Sequence, residues 1–95
     1  MLKTNQYFDG NVISIALQTK TLPATVGVME IGEYQFDTNQ HEVMNVISGE
    51  LEVLLPDQDQ WQIYTDGDSF EVAAGKTFEL KVNIQTAYFC TYEDR

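Results

Sequence analysis

The sequence has one cysteine, Cys90, so no intramolecular disulfide can form and no Cys-x-x-Cys redox or metal pair exists. A reducing compartment, the cytoplasm, is the expected location. One histidine, His41, is too few for the nitrogen-rich sites that Zn, Fe or Ni normally occupy, and no metal is expected. Five basic against fifteen acidic side chains leave a formal charge of −10. That charge excludes nucleic acid and anionic membrane as partners, because both require a positive field. No apolar run is long enough to span a bilayer, and none follows the N-terminal Met1-Leu2-Lys3-Thr4-Asn5 as a secretory signal would. Phosphate-loop, dinucleotide and nucleophile-elbow motifs are all missing.

What is present is a packed domain. Apolar residues make up 43% of the chain and aromatics 12%, a composition that folds rather than staying disordered. Ninety-five residues make one domain, 1–95. This lies near the small end of what buries its own core, so closure into a barrel or pairing with a second copy is expected. Apolar residues alternate and never recur at helical spacing. The alternation predicts nine strands near Val12–Thr19, Ala24–Ile31, Tyr34–Phe36, His41–Ser48, Glu50–Leu55, Trp61–Thr65, Ser69–Val72, Thr77–Val82 and Thr86–Tyr92. Gly, Asp and Asn fill the turns between them. Strands so closely spaced predict an all-β fold, a barrel or jelly-roll of two antiparallel sheets.

The most informative stretch runs from His41 to Pro56, two alternating runs broken at Ser48-Gly49 and read as a hairpin. One side carries Glu42, Met44, Val46, Leu51, Val53 and Leu55; the other carries Val43 and Ile47 beside His41 and Asn45. A strand apolar on both faces is covered twice, by a second sheet or a second subunit, and a homodimer is the expectation. Together with Gly67 and Gly75, which bracket Ser69–Val72, these runs resemble the two short motifs of the cupin barrel. Glu42 falls at the cupin glutamate position, while the histidine positions fall on Phe36, on Asp37 or Thr38, and on Phe78. The barrel is therefore expected to be metal-free.

Glu42 is the outlier on an otherwise apolar inner face. Burial raises a carboxyl pKa and suits it to proton transfer or charge stabilisation. Glu42 could equally lock the barrel by bonding backbone or tyrosine hydroxyls, and both readings stand at this stage. His41 points to the opposite face, towards surface or interface. Cys90, between Tyr88 and Tyr92 with no basic neighbour, reads as a buried structural thiol. The acidic pairs Asp57/Asp59 and Asp66/Asp68 read as solvated turns.

Across the whole chain, Asn5-Gln6-Tyr7-Phe8-Asp9-Gly10, Thr25-Val26-Gly27-Val28-Met29, Gly32-Glu33-Tyr34, Val46-Ile47-Ser48-Gly49-Glu50-Leu51, Phe70-Glu71-Val72 and Thr86-Ala87-Tyr88-Phe89-Cys90 resemble, end to end and in order, the bacterial pyrimidine/purine nucleoside phosphorylase family. The resemblance implies reversible phosphorolysis of purine and pyrimidine nucleosides to free base and ribose 1-phosphate, with no cofactor. Family members usually read Val-Pro-Ala where this chain has Val72-Ala73-Ala74, and some carry arginines near Pro23 and at Thr91. Such chemistry needs a carboxylate near the ribose, for which Glu42 is the catalytic candidate. It also needs aromatic and hydroxyl groups around the nucleoside, for which Tyr34, Phe36, Tyr88 and Tyr92 are candidates. Phosphate needs a cation or amide donors, and Lys76, following Gly75 at a turn, is the candidate cation. A non-enzymatic cupin module holding a nucleoside or sugar in the same lumen is the alternative.

Overall fold

A computed structural model describes residues 1–95 as ten strands and one short 3-10 turn, with a radius of gyration of 12.6 Å. The strands are β1 (Lys3–Tyr7), β2 (Val12–Gln18), β3 (Pro23–Met29), β4 (Gly32–Asp37), β5 (His41–Ser48), β6 (Glu50–Leu54), β7 (Gln62–Thr65), β8 (Ser69–Val72), β9 (Thr77–Val82) and β10 (Thr86–Glu93). Every pairing is antiparallel. A six-stranded sheet has the order β1-β2-β3-β10-β5-β8, and a four-stranded sheet has the order β4-β9-β6-β7. The fold is thus the expected all-β cupin-like barrel.

Its core forms where the two inner faces meet, because alternation gives each strand one apolar side. The large sheet sends in Val12, Met29, Met44, Val46, Phe70, Val72, Tyr88 and Cys90. Tyr34, Leu51, Val53, Phe78, Leu80 and Val82 answer from the small sheet.

Two features depart from the sequence expectation. First, β1 exists, although Lys3-Thr4-Asn5-Gln6-Tyr7 shows no apolar alternation; it is a polar edge strand paired in register with β2, Tyr7 opposite Val12 and Lys3 opposite Ala16. Second, β5 and β6 are not a hairpin. β5 pairs with β10 and β8, whereas β6 pairs with β9 and β7. At Gly49, with φ +122°, the chain crosses from one sheet to the other, a backbone state that side chains rarely adopt. The buried Thr86 hydroxyl secures the crossing, accepting from the Glu50 amide at 3.0 Å and facing the Ile84 carbonyl at 2.8 Å.

One end of the barrel is stitched by Thr38. Its buried hydroxyl lies 2.7 Å from the Ala73 carbonyl and accepts from the Lys76 amide at 3.0 Å. Its own amide donates to the Lys76 carbonyl at 2.8 Å. The segment joining β4 to β5 is thereby tied to the turn joining β8 to β9.

Candidate active site

Between the sheets a cavity of about 290 Å³ opens at the Thr38 end, walled by Glu42, Phe36, Phe78, Tyr88 and Tyr92 together with Tyr7, Ser14, Met29, Met44, Asp37, Asn39 and Gln40. This is close to the lower edge of the roughly 300–1,000 Å³ typical of small-molecule pockets.

Strand register assembles the wall. On β10, residues two apart share the inner face, so Tyr88, Cys90 and Tyr92 form one column. Their partners on β5 are Val46, Met44 and Glu42. Glu42 therefore stands beside Tyr92. Its carboxylate accepts one long hydrogen bond, from the Cys90 thiol at 3.6 Å, and no backbone amide or tyrosine hydroxyl bonds to it. Burial raises its pKa above the ordinary carboxyl value, with the Cys90 thiol pulling weakly the other way. The backbone and the tyrosine hydroxyls thus do not compensate the burial of this carboxyl.

Hydroxyl groups surround it. Tyr92 shares a 2.9 Å hydrogen bond with Thr25, and burial, chiefly, raises the Tyr92 pKa. Tyr88 is pushed up to about 12, mainly by burial, with Ser14 opposing. Both phenols hold their protons at neutral pH and can donate hydrogen bonds to a ligand. Cys90, fully buried, also has a raised pKa, first from burial and then from the Glu42 charge. It is not a thiolate nucleophile.

The far wall is aromatic. Phe36 stacks on Phe78 with ring centroids 5.7 Å apart, and Phe8 meets Phe36 edge-on at 5.3 Å. Phe8 and Asp9 both adopt positive φ, 53° and 58°, a strained turn that swings the Phe8 ring onto this group.

Four of the expected site residues, Glu42, Phe36, Tyr88 and Tyr92, converge on the cavity. Tyr34 and Lys76 are placed elsewhere. Tyr34 is buried behind Phe36, its hydroxyl donating to the Glu30 carbonyl at 2.6 Å. The Lys76 ammonium faces outward, 3.7 Å from Asp57. His41 lies on the outer face, 3.2 Å from Glu71. Sequence reasoning missed Tyr7, Ser14, Asn39 and Gln40, which come from the edge strand, the next strand and the mouth segment. Only the Asn5–Gly10 run of the family resemblance pointed towards any of them. No group of three His, Cys, Asp or Glu side chains is placed to hold a metal ion, and no helix is long and apolar enough to cross a membrane.

A cupin-like barrel with a hydroxyl-lined cavity, open at one end, is the class that this geometry defines. Comparison with solved structures agrees: an RmlC-like cupin from Shewanella frigidimarina superposes with a TM-score of 0.77 at 20% identity, over 99% of this chain and 85% of that one. A Vibrio parahaemolyticus protein of unknown function superposes at 0.93 with 40% identity, over 97% and 98% of the two chains. The family model described as pyrimidine/purine nucleoside phosphorylase matches residues 2–92. Proteins of that name from Saccharophagus degradans and Hahella chejuensis are 60% and 59% identical, each alignment spanning 97% of this chain and 98% and 99% of theirs. The chain belongs to the pyrimidine/purine nucleoside phosphorylase family.

Proposed function

We propose that this chain is a reversible nucleoside phosphorylase of broad specificity, a pentosyltransferase that needs no cofactor and works in the cytoplasm as a homodimer. The observation that carries the reading is Glu42: a carboxyl desolvated in the cavity wall, bonded only to a thiol, among neutral phenols and aromatic faces.

Phosphorolysis uses such an arrangement well. A phosphate oxygen bonds to C1′ of the ribose as the C1′–N bond breaks and its electron pair leaves with the base. The proton of hydrogen phosphate ends on the base, and ribose 1-phosphate remains as a dianion. Positive charge develops on the sugar in the transition state, and an ionised Glu42 beside it stabilises that charge. Phe36, half-buried in the cavity wall and backed by the buried Phe78, offers an aromatic surface against which any base can stack, which suits purines and pyrimidines alike. Tyr88, Tyr92 and Ser14 supply the ribose with hydrogen bonds.

Pairing of two copies rests on the outer face of the six-stranded sheet. Ile13 lies opposite Val28 and Ile15 opposite Val26; all four are exposed, together with Leu17 and Ile47. A face this apolar on a chain of this charge is covered by a second copy of itself.

Purified protein incubated with uridine or inosine, with and without phosphate and with and without a chelator, tests the reading. Base release that requires phosphate and survives chelation supports it. Nucleoside binding without release selects the non-enzymatic alternative.

A further inference from the structure

The nucleoside cavity contains Asp37 and Glu42 and no cation, an unfavourable place for phosphate on a chain of charge −10. Of the five basic side chains, Lys76 faces Asp57 at 3.7 Å, Arg95 faces Glu93 at 3.3 Å, and Lys81 lies 4.2 Å above the Trp61 ring. Lys20 is exposed in the turn after β2. Lys3 differs from all of these. It shares its face of β1 with Asn5 and Tyr7, opposite Ala16 in register. It lines a second, more open depression of about 600 Å³ with no Asp or Glu among its lining residues; the Asp94 carboxylate accepts from the amide of one of them, Gln40, at 3.1 Å.

This depression adjoins the nucleoside cavity: Tyr7, Gln40 and Tyr92 belong to both walls. Its other polar side chains are the Gln18 amide and the Thr25 hydroxyl, and the N-terminal residue Met1 also lines it. The Thr25–Tyr92 hydrogen bond uses one of the two hydroxyl protons, leaving the other free to meet an anion. We propose that the Lys3 depression is the phosphate subsite, with Lys3 holding the anion and Tyr92, Gln40 and Tyr7 marking the boundary where it meets the ribose. Resting on the phosphorylase reading, this arrangement explains how an acidic cavity can use an anionic co-substrate. Nucleophile and leaving base enter from separate chambers, as displacement at C1′ requires of groups on opposite faces of the sugar.

The test titrates inorganic phosphate, followed by ³¹P NMR line broadening, into the wild type and into the Lys3→Gln, Lys3→Arg and Lys20→Gln variants. Phosphate KM is measured in parallel. Lys3→Gln should weaken phosphate binding about tenfold or more, the scale of one charge-assisted hydrogen bond, with nucleoside KM and melting temperature unchanged. Lys3→Arg should retain most of the affinity and Lys20→Gln all of it. Undiminished affinity in Lys3→Gln, an equal loss in Lys20→Gln, or no phosphate binding by the wild type would each overturn the subsite. Binding that depends on Lys3 without base release would uphold the subsite and remove the phosphorylase reading.

Discussion

Gly27 and Tyr88 are fitted to each other: a Cβ on Gly27 would stand 2.6 Å from both Cζ and the hydroxyl oxygen of Tyr88, and 2.7 Å from the Ile13 carbonyl oxygen. The missing side chain is a space that the tyrosine occupies, which lets its phenol lie across β3 at the cavity wall beside Ser14. Gly27→Ala should therefore displace Tyr88 and cost about 1–3 kcal/mol through overpacking, seen as a lower melting temperature together with a raised nucleoside KM. A variant with wild-type stability and KM would show that the ring moves aside freely.

The mouth of the cavity depends on Thr38 in a similar way. Thr38→Val keeps the shape but leaves the Lys76 amide without the hydroxyl acceptor it now has and the Ala73 carbonyl without a donor. Stranding partly buried backbone groups costs up to about 1–3 kcal/mol, so thermal unfolding should occur at a lower temperature. Amide hydrogen exchange should quicken locally, at residues 38–40 and 73–76. Unchanged exchange there would show that the stitch is dispensable.

Most of the barrel could be read from alternation, because Val12, Met44, Leu51, Phe78 and Tyr88 each mark an inner face at a period of two. Strand β1 could not, since an edge strand with polar residues on both sides carries no such mark. The Ser48-Gly49 turn looked like a hairpin because positive φ at glycine serves tight turns and sheet crossings equally well; only partner choice distinguishes them, and that is a long-range property. At the site, Glu42 stood out as a lone acid on an apolar face, and Tyr88 and Tyr92 share one face of their own strand by alternation with Cys90 between them. Lys76 was misplaced because adjacency to a turn does not reveal which way a long side chain runs, and Asp57 draws it outward. Ser14, Asn39 and Gln40 are ordinary polar residues until the fold brings them together.

For self-association, the wild type should scatter light as a particle of two chains at micromolar concentration. Val26→Glu, which places a charge in the Ile15–Val26 row of the outer face, should yield a folded monomer with an unaltered circular dichroism spectrum. A monomeric wild type, or an undisturbed dimer in the variant, would contradict pairing through this face.

Burial holds the Glu42 pKa above its unfolded value, so the native state binds that proton more tightly. The stabilisation from this group is complete below the unfolded pKa and is lost as pH rises through the folded one. Replacing Glu42 by Gln should remove that pH dependence and leave the protein at least as stable as wild type at neutral pH. In the wild type, turnover that relies on ionised Glu42 should fall on acidification at a pH above the ordinary carboxyl range.

The decisive measurement is phosphate-dependent release of base from uridine and inosine by the wild type and Glu42→Gln, assayed side by side at neutral pH with melting temperatures recorded. Turnover should drop by ~10²-fold or more in the variant, the usual scale for removing one electrostatic stabiliser, with no loss of thermal stability. A normally stable Gln variant that releases base at the wild-type rate would contradict the assignment of Glu42 as the catalytic carboxylate.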